Sequence, residues 1–457
     1  MLLFHRSKDL FLDAYRLIKK FRLLIVILVL SGSASALNYK YILNAPDLLT
    51  GFSSRVGCSL HYVSKFTEKE VIADLLNYSS LIDYVDIEFD SNNKSVTSRF
   101  LWKEAVSTYK QGTGCTFTAE NKRTHLVDGR VDSSVSPPLN VNLSPILNES
   151  LKTLLEQDNI SGWDTRAVVI LQNGALVAEQ YSGAYSDSTQ FLGWSIAKTL
   201  NSIIIGNMVK NGLINFNEAN LFTVSDDDPR ISITIESLLT MTSGQVFDED
   251  YSPGGGAVKM LFSDYAAYKR PLASDVAYEA GTNFSYSSGS SNILTHLAYS
   301  KFTNHQKAYS YIQEQVLSPL GMNETVIEND PSGVFVGSSF IYATAQDYAK
   351  LGQIFLDKGV ALNGAQVVDP DWIERAVQPN NSKNENAYGY HVWLNSGNKN
   401  GLRWPSLPKG TFAAKGNKGQ FIIIIPELDV VVVRLGWSKG DYPIELFVSV
   451  ILREITL

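Results

Sequence analysis

Ser195 and Lys198 are the residues of this 457-residue chain whose types and spacing could do chemistry together. They stand one helical turn apart in Gly193-Trp194-Ser195-Ile196-Ala197-Lys198, so a hydroxyl and an amine able to take its proton share one face. That arrangement suits nucleophilic attack on a carbonyl without a histidine. The same Ser-x-x-Lys spacing recurs at Ser91 to Lys94, Ser107 to Lys110 and Ser406 to Lys409. An Asn-rich turn, a polar segment without an apolar stripe, and Pro408 set those three aside. Only behind Ser195 do Ile196, Leu200, Ile203, Ile204 and Met208 recur at helical spacing, up to a C-cap at Asn211-Gly212.

Such a pair needs an acid for the leaving group, two donors for the developing oxyanion, and a cavity. Tyr286, set among small polar residues from Gly281 to Gly289 and ahead of a helix over residues 292–299, is the candidate acid. The stretch Ala414-Lys415-Gly416-Asn417-Lys418-Gly419-Gln420 leads into a strand, and its glycines would let a ligand approach the backbone. A plain polar turn fits it equally well. None of His5, His61, His125, His296, His305 and His391 has the setting of a catalytic base; each reads as a surface or packed residue. Trp393 is either a pocket wall or a packed indole.

The elements around these residues suggest an α+β domain over residues 146–457. A helix near residues 146–158 precedes a hairpin, Ala167 to Leu171 and Leu176 to Tyr181, turned at Asn173-Gly174. A second hairpin, Phe421 to Ile425 and Val430 to Leu435, precedes a closing helix over residues 444–455. Helical patterns dominate between, from Ser195 to about residue 357. The expected architecture is an antiparallel sheet built from both ends of the domain, flanked by terminal helices, with an inserted all-helical region and Ser195 at the seam. Residues 37–125 read as a small α+β module with a helix at Glu68 to Tyr78 and strands at Asp83 to Phe89 and Ser95 to Leu101. Residues 126–145, with Ser133-Ser134 and Pro137-Pro138, read as a linker.

Residues 1–36 combine Lys19, Lys20 and Arg22, the apolar run Leu23 to Leu30 and an Ala-x-Ala end, which reads as a secretory leader, or otherwise as an uncleaved membrane anchor. The expected location is periplasmic or secreted. In an exported chain Cys58 and Cys115 most simply form one disulfide, two buried thiols being the other reading. A net charge of −7 without basic blocks argues against a nucleic-acid partner and leaves a small neutral or cationic substrate. Asp226-Asp227-Asp228 and Asp248-Glu249-Asp250 read as caps or solvent-facing acids; the second, beside Gly254-Gly255-Gly256, would as a lid favour an amine-bearing substrate. No motif asks for a cofactor or a metal.

Taken in order, Ser195-x-x-Lys198, Tyr286-Ser287-Ser288 and Asn417-Lys418-Gly419 resemble the serine β-lactamase-related family, nearest its class C β-lactamase, esterase and 6-aminohexanoate-dimer hydrolase branch. Asp227-Asp228-Pro229-Arg230, Ser237-Leu238-Leu239-Thr240-Met241-Thr242-Ser243-Gly244, Leu320-Gly321-Met322 and Gly337-Ser338-Ser339 follow in family order. The resemblance implies a β-lactamase/transpeptidase-like fold and an acyl-enzyme on Ser195, with Lys198 and Tyr286 sharing proton transfer. It implies the amides of Ser195 and Gln420 as oxyanion donors and a small amide or ester as substrate, with Asn417, Gly419 and Ser288 of these motifs beside it; Trp393 joins them only if it is a pocket wall. Cys58-Ser59 and Gly114-Cys115 resemble the paired cysteines of a subgroup with such an N-terminal extension. Asn417 replaces the Lys or His that opens the third motif in relatives, and Ser288 replaces an Asn usual in β-lactamases. Both changes point away from a dedicated β-lactamase, which stays an alternative beside a DD-peptidase and an acylatable binding protein.

Overall fold

The computed structural model describes residues 36–119, 122, 124–129, 139–218, 220–222, 224–225, 227–398 and 401–455. Its centre is a seven-stranded sheet in the spatial order Trp393–Leu394, Phe412–Gly416, Gln420–Ile425, Val430–Gly436, Thr165–Gln172, Ala175–Tyr181, Asn140–Val141. Neighbours run antiparallel except the last pair, which is parallel. The two hairpins read from the sequence therefore meet at the middle, Val430–Gly436 against Thr165–Gln172.

Alternate strand residues face opposite sides. Val168, Ile170, Ile423 and Val432 pack against Leu147 and Leu151 of Pro145–Ile160 and against Phe447 and Ile451 of Ile444–Ile455. Ala167, Val169, Ile422, Ile424, Val431 and Val433 face the helical region instead. Burial on both faces explains why Phe421 to Ile425 and Val430 to Val433 carry no polar residue. This is the β-lactamase/transpeptidase-like arrangement expected above, with the helical region inserted between the two halves of the sheet.

The N-terminal residues differ more from expectation. The chain's first described element, α1 (Ala36–Tyr62), is a long helix where no helix was expected. It is buried on two sides. One packs on a four-stranded antiparallel sheet, Asp86–Asp90, Ser95–Phe100, Lys103–Lys110 and Gly114–Phe117, and is tied to it by a Cys58–Cys115 disulfide with Cα atoms 6.1 Å apart. The other packs on the helical region so closely that a Cβ on Gly51 would lie 2.3 Å from the Phe262 carbonyl oxygen. Small residues are needed at such contacts, so Gly51-Phe52-Ser53-Ser54 has the composition of a loop and the structure of a helix. Leu49, Phe52 and Val56 consequently belong to the same core as Ile203 and Leu294.

Glu68–Tyr78 is a helix as expected, with a capping box between Thr67 and Glu70. The first strand is displaced: Ser80–Tyr84 forms a 3-10 turn capped by Ser79, and the strand begins at Asp86. The polar segment that holds Ser107 is the third strand, Lys103–Lys110, so Ser107 and Lys110 do not share a helical face. Arg166 of the central sheet makes a buried two-pronged ion pair with Asp74, at 2.7 and 2.5 Å. Of the expected linker, Ser133-Ser134 and Pro137-Pro138 lie outside the described residues, while Asp128 bonds Gln306 through its backbone N–H and C=O.

Candidate active site

Ser195 sits at the start of α2 (Ile196–Lys210), a helix with almost every residue buried. The short strand Phe191–Leu192, paired to Ile341–Ala343, delivers the chain to that point. Trp194 then turns it with φ of +48°, a left-handed conformation that costs a non-glycine residue energy and is held here by packing of its indole among Tyr78, Phe340 and Trp437. Two glycines permit the close approach of neighbouring segments. A Cβ on Gly193 would lie 2.3 Å from the Tyr348 hydroxyl, and one on Gly416 would lie 2.1 Å from the Gly193 carbonyl oxygen. The end of strand Phe412–Gly416 is thus pressed against the turn that carries Ser195. The Ser195 amide has no acceptor among the described residues, which leaves it open at a helix N-terminus.

Lys198 is one turn on and 1 % exposed. Its Nζ donates to Ser195 Oγ at 3.0 Å, to Ser288 Oγ at 3.1 Å and to the Ser338 carbonyl at 2.8 Å. Burial disfavours the ammonium and brings its pKa down to about 8, against the opposing pull of Glu249. Gly337-Ser338-Ser339 is therefore at the site through a backbone carbonyl. Ser288 opens α3 (Ser288–Ser300), four residues earlier than the sequence pattern indicated, with Ser287 as N-cap. Tyr286 immediately precedes that cap. Its ring lies 5.0 Å from Lys198 Nζ, and burial, then Glu249, push its pKa upward, with the Ser195 side chain acting against them.

Glu249 is the member that sequence reasoning left among solvent-facing acids. Its Oε2 accepts from the Ser288 amide at 2.7 Å and its Oε1 from the Ser288 hydroxyl at 2.5 Å. Tyr251 also donates to Oε1, at 2.7 Å, and stands 3.3 Å from Ser288 Oγ. Asp248 and Asp250 turn back onto their own loop, accepting from the backbone of Asp250, Ser252 and Gly256. The loop meets the cavity over Ser195 through Tyr251 and Pro253, while among the described residues no acidic side chain borders that cavity. Only its contact with the start of α3 reveals the place of Glu249, and that contact is not written in the local sequence. Asp228 caps a 3-10 turn and pairs with Arg230, and Asp226 lies outside the described residues.

The third motif enters differently from the expectation. Asn417 and Lys418 border a cavity of about 700 Å³ together with Ser195 and Tyr286; Gly419 and Gln420 do not. Asn417–Gly419 winds as a 3-10 turn with Lys418 and Gly419 both at positive φ, which carries Gln420 past the site. Gln420 is buried and clasps the Gly436 backbone, accepting its N–H at 3.0 Å and donating to its carbonyl at 2.5 Å. Of the two, Asn417 and not Gln420 reaches the cavity that holds Ser195. Lys418 is directed at Asn77 Oδ1, 2.6 Å away, over the Tyr78 ring. Trp393 is not a cavity wall but stacks on Tyr286 at 5.5 Å. His391 is packed, with one ring nitrogen on the Lys198 carbonyl at 2.9 Å. Among the described residues no group of three His, Cys, Asp or Glu side chains could hold a metal ion.

A central sheet between terminal helices and a helical insert, with a Ser–Lys pair at the seam, defines the class of β-lactamase-like serine hydrolases. Residues 152–446 match the family model described as Beta-lactamase, and the chain belongs to that family. It is 22 % identical over 297 residues to 6-aminohexanoate-dimer hydrolase of Paenarthrobacter ureafaciens, covering 61 % of this chain and 74 % of the relative. Among solved structures, a family VIII carboxylesterase superimposes with a TM-score of 0.54 at 13 % identity, covering 70 % of this chain and all of the other. A penicillin-binding protein homologue of Caulobacter crescentus gives 0.52 at 15 % identity, covering 69 % and 99 %. At these identities the structural likeness is one of fold.

Proposed function

We propose that the protein hydrolyses amides or esters through an acyl-enzyme on Ser195. The observation that carries this reading is the buried Lys198 amine, 3.0 Å from Ser195 Oγ and with its pKa lowered by burial, so that a neutral base is available near neutral pH. Ser195 Oγ attacks the carbonyl carbon and its proton passes to Lys198. The carbonyl oxygen gathers charge against the amides of Ser195 and Asn417. The Tyr286 hydroxyl, kept neutral by burial, protonates the departing nitrogen or oxygen and is reprotonated from Lys198. Water then attacks the acyl carbon, the same pair taking and returning its proton, and the two groups titrate as one coupled unit. Ser288 and Glu249 hold the lysine in place.

Asn417 at the motif's opening and Ser288 after Tyr286 support an amidase or esterase over a dedicated β-lactamase, in keeping with the 6-aminohexanoate-dimer hydrolase and carboxylesterase likenesses. The test is hydrolysis of p-nitrophenyl acetate, a chromogenic cephalosporin and a linear amide dimer by wild type and Ser195→Ala. Turnover well beyond one equivalent that disappears in the mutant is expected. Equal silence, with no fluorophosphonate adduct on Ser195, would sink the reading.

We also propose a location outside the cytosol, which the Cys58–Cys115 disulfide supports because such bonds persist in oxidising compartments. No helix among the described residues is long and apolar enough to cross a membrane. N-terminal sequencing of the protein from its own cells tests the point: export with cleavage predicts a start near residue 37.

A further inference from the structure

The cavity over Ser195 has a wall built partly from residues outside the Beta-lactamase match, which begins at residue 152. Leu48, Leu49 and Phe52 reach it from α1, Ile82 from the Ser80–Tyr84 turn, and Leu261 and Phe262 from the helix Gly256–Phe262. Leu49, Phe52, Ile82, Leu261 and Phe262 are nearly or fully buried in the body of the protein, so this wall is core surface rather than loose side chains. Among the described residues no carboxylate borders the space, and the one charged neighbour, Lys418, is already engaged by Asn77 and the Tyr78 ring. At about 700 Å³ the volume is that of a whole small-molecule site, larger than an acetyl group or a single amino-acid side chain requires.

We propose that this cavity takes an unbranched apolar chain attached to the scissile carbonyl, making medium-chain acyl esters or amides the substrate class. The proposal rests on the acyl-enzyme reading of Ser195 given above. Its physical content is transfer of methylenes from water onto carbon surface, worth about fourfold in kcat/KM for each methylene until the space is full. The wall needs no ordering when substrate arrives, because α1 is already fixed. The Cys58–Cys115 bond holds one side, and Arg55 donates to the Leu261 and Asn329 carbonyls at 3.0 and 3.1 Å on the other.

The experiment is a series of p-nitrophenyl esters from acetate to dodecanoate with the full chain, repeated with Ala45→Phe. Ala45 is a half-buried α1 residue bordering the cavity, and it takes no part in proton transfer. Expected is a rise of about fourfold per methylene to an optimum. Ala45→Phe should then lose at least tenfold on the longest substrates while acetate turnover stays as in wild type. Turnover that is flat from acetate to dodecanoate would overturn the proposal and leave the hydrolase reading standing. Silence with every ester and with the linear amide dimer, with no fluorophosphonate adduct on Ser195, would remove the hydrolase reading. In that case displacement of 1-anilinonaphthalene-8-sulfonate from Ser195→Ala by butanol, hexanol and octanol decides the cavity alone. Affinity climbing about fourfold per methylene and weakened by Ala45→Phe supports it, and affinity independent of chain length overturns it.

Discussion

Glu249 grips Ser288 at both its amide and its hydroxyl, and that same hydroxyl receives Lys198 Nζ at 3.1 Å. A carboxylate on a surface loop is thereby linked to the buried amine through a single oxygen atom. Its charge favours the protonated lysine, opposing burial. Glu249→Gln should therefore lower the Lys198 pKa further and move the rising limb of the kcat/KM–pH profile to lower pH. Glu249→Ala, which also frees the Ser288 amide and hydroxyl, should cost about 10–100-fold in kcat/KM. A profile unmoved in Glu249→Gln would show that the loop acid does not feel the lysine.

Lys198 must be neutral to accept the Ser195 proton. With its pKa at about 8, protonation on going below that pH removes the base, so activity should fall as the medium is acidified and reach a plateau above about pH 9. Lys198→Ala should lower kcat/KM by about 10²–10⁴ and abolish that limb. Persistence of the limb in the mutant would assign it to another group.

Gly416 touches the turn that carries Ser195, and a Cβ there would collide with the Gly193 carbonyl oxygen. Gly416→Ala should push the strand end away from Ser195 and reduce kcat about 100-fold, the usual result of a misplacement near 1 Å. Circular dichroism should stay native, since the strand is held by its other pairings. Wild-type kcat in this variant would mean that the contact does not set the site.

Glu328 is fully buried, with Oε1 accepting from Ser59 Oγ at 2.6 Å and the Cys115 amide at 2.7 Å. Burial raises its pKa to about 7 despite Arg55 and those donors. A raised carboxyl pKa means the folded state holds a proton that the unfolded chain has released. Stability from this group is thus present below pH 4.5 and is lost as pH rises through 7, by about 3 kcal/mol in all. Thermal unfolding of wild type and Glu328→Gln should diverge across that window, the mutant showing the flatter pH dependence. Parallel curves would indicate that Glu328 is ionised throughout.

The Cys58–Cys115 bridge closes a loop with a sequence separation of 57 residues. Replacing both cysteines by serine should lower stability by about 2–4 kcal/mol, read as a reduced denaturation midpoint at constant slope. An unchanged midpoint would mean that packing of α1 on both its neighbours holds the module without the bond.

The sequence by itself determined the pairing of Ser195 with Lys198 and the frame of the sheet. Ser195 and Lys198 share a face because helical spacing is local, and the two hairpins are legible because turn residues and apolar runs are local too. What only the tertiary structure decided depends on long-range approach. Glu249 is indistinguishable from Asp248 and Asp250 until the chain folds it against Ser288, 39 residues on. Asn417 rather than Gln420 meets the cavity because two positive-φ residues set the turn's path. The helix α1 hid behind glycines and serines that its neighbours require, since a segment buried on two sides loses the one-sided apolar stripe by which helices are recognised.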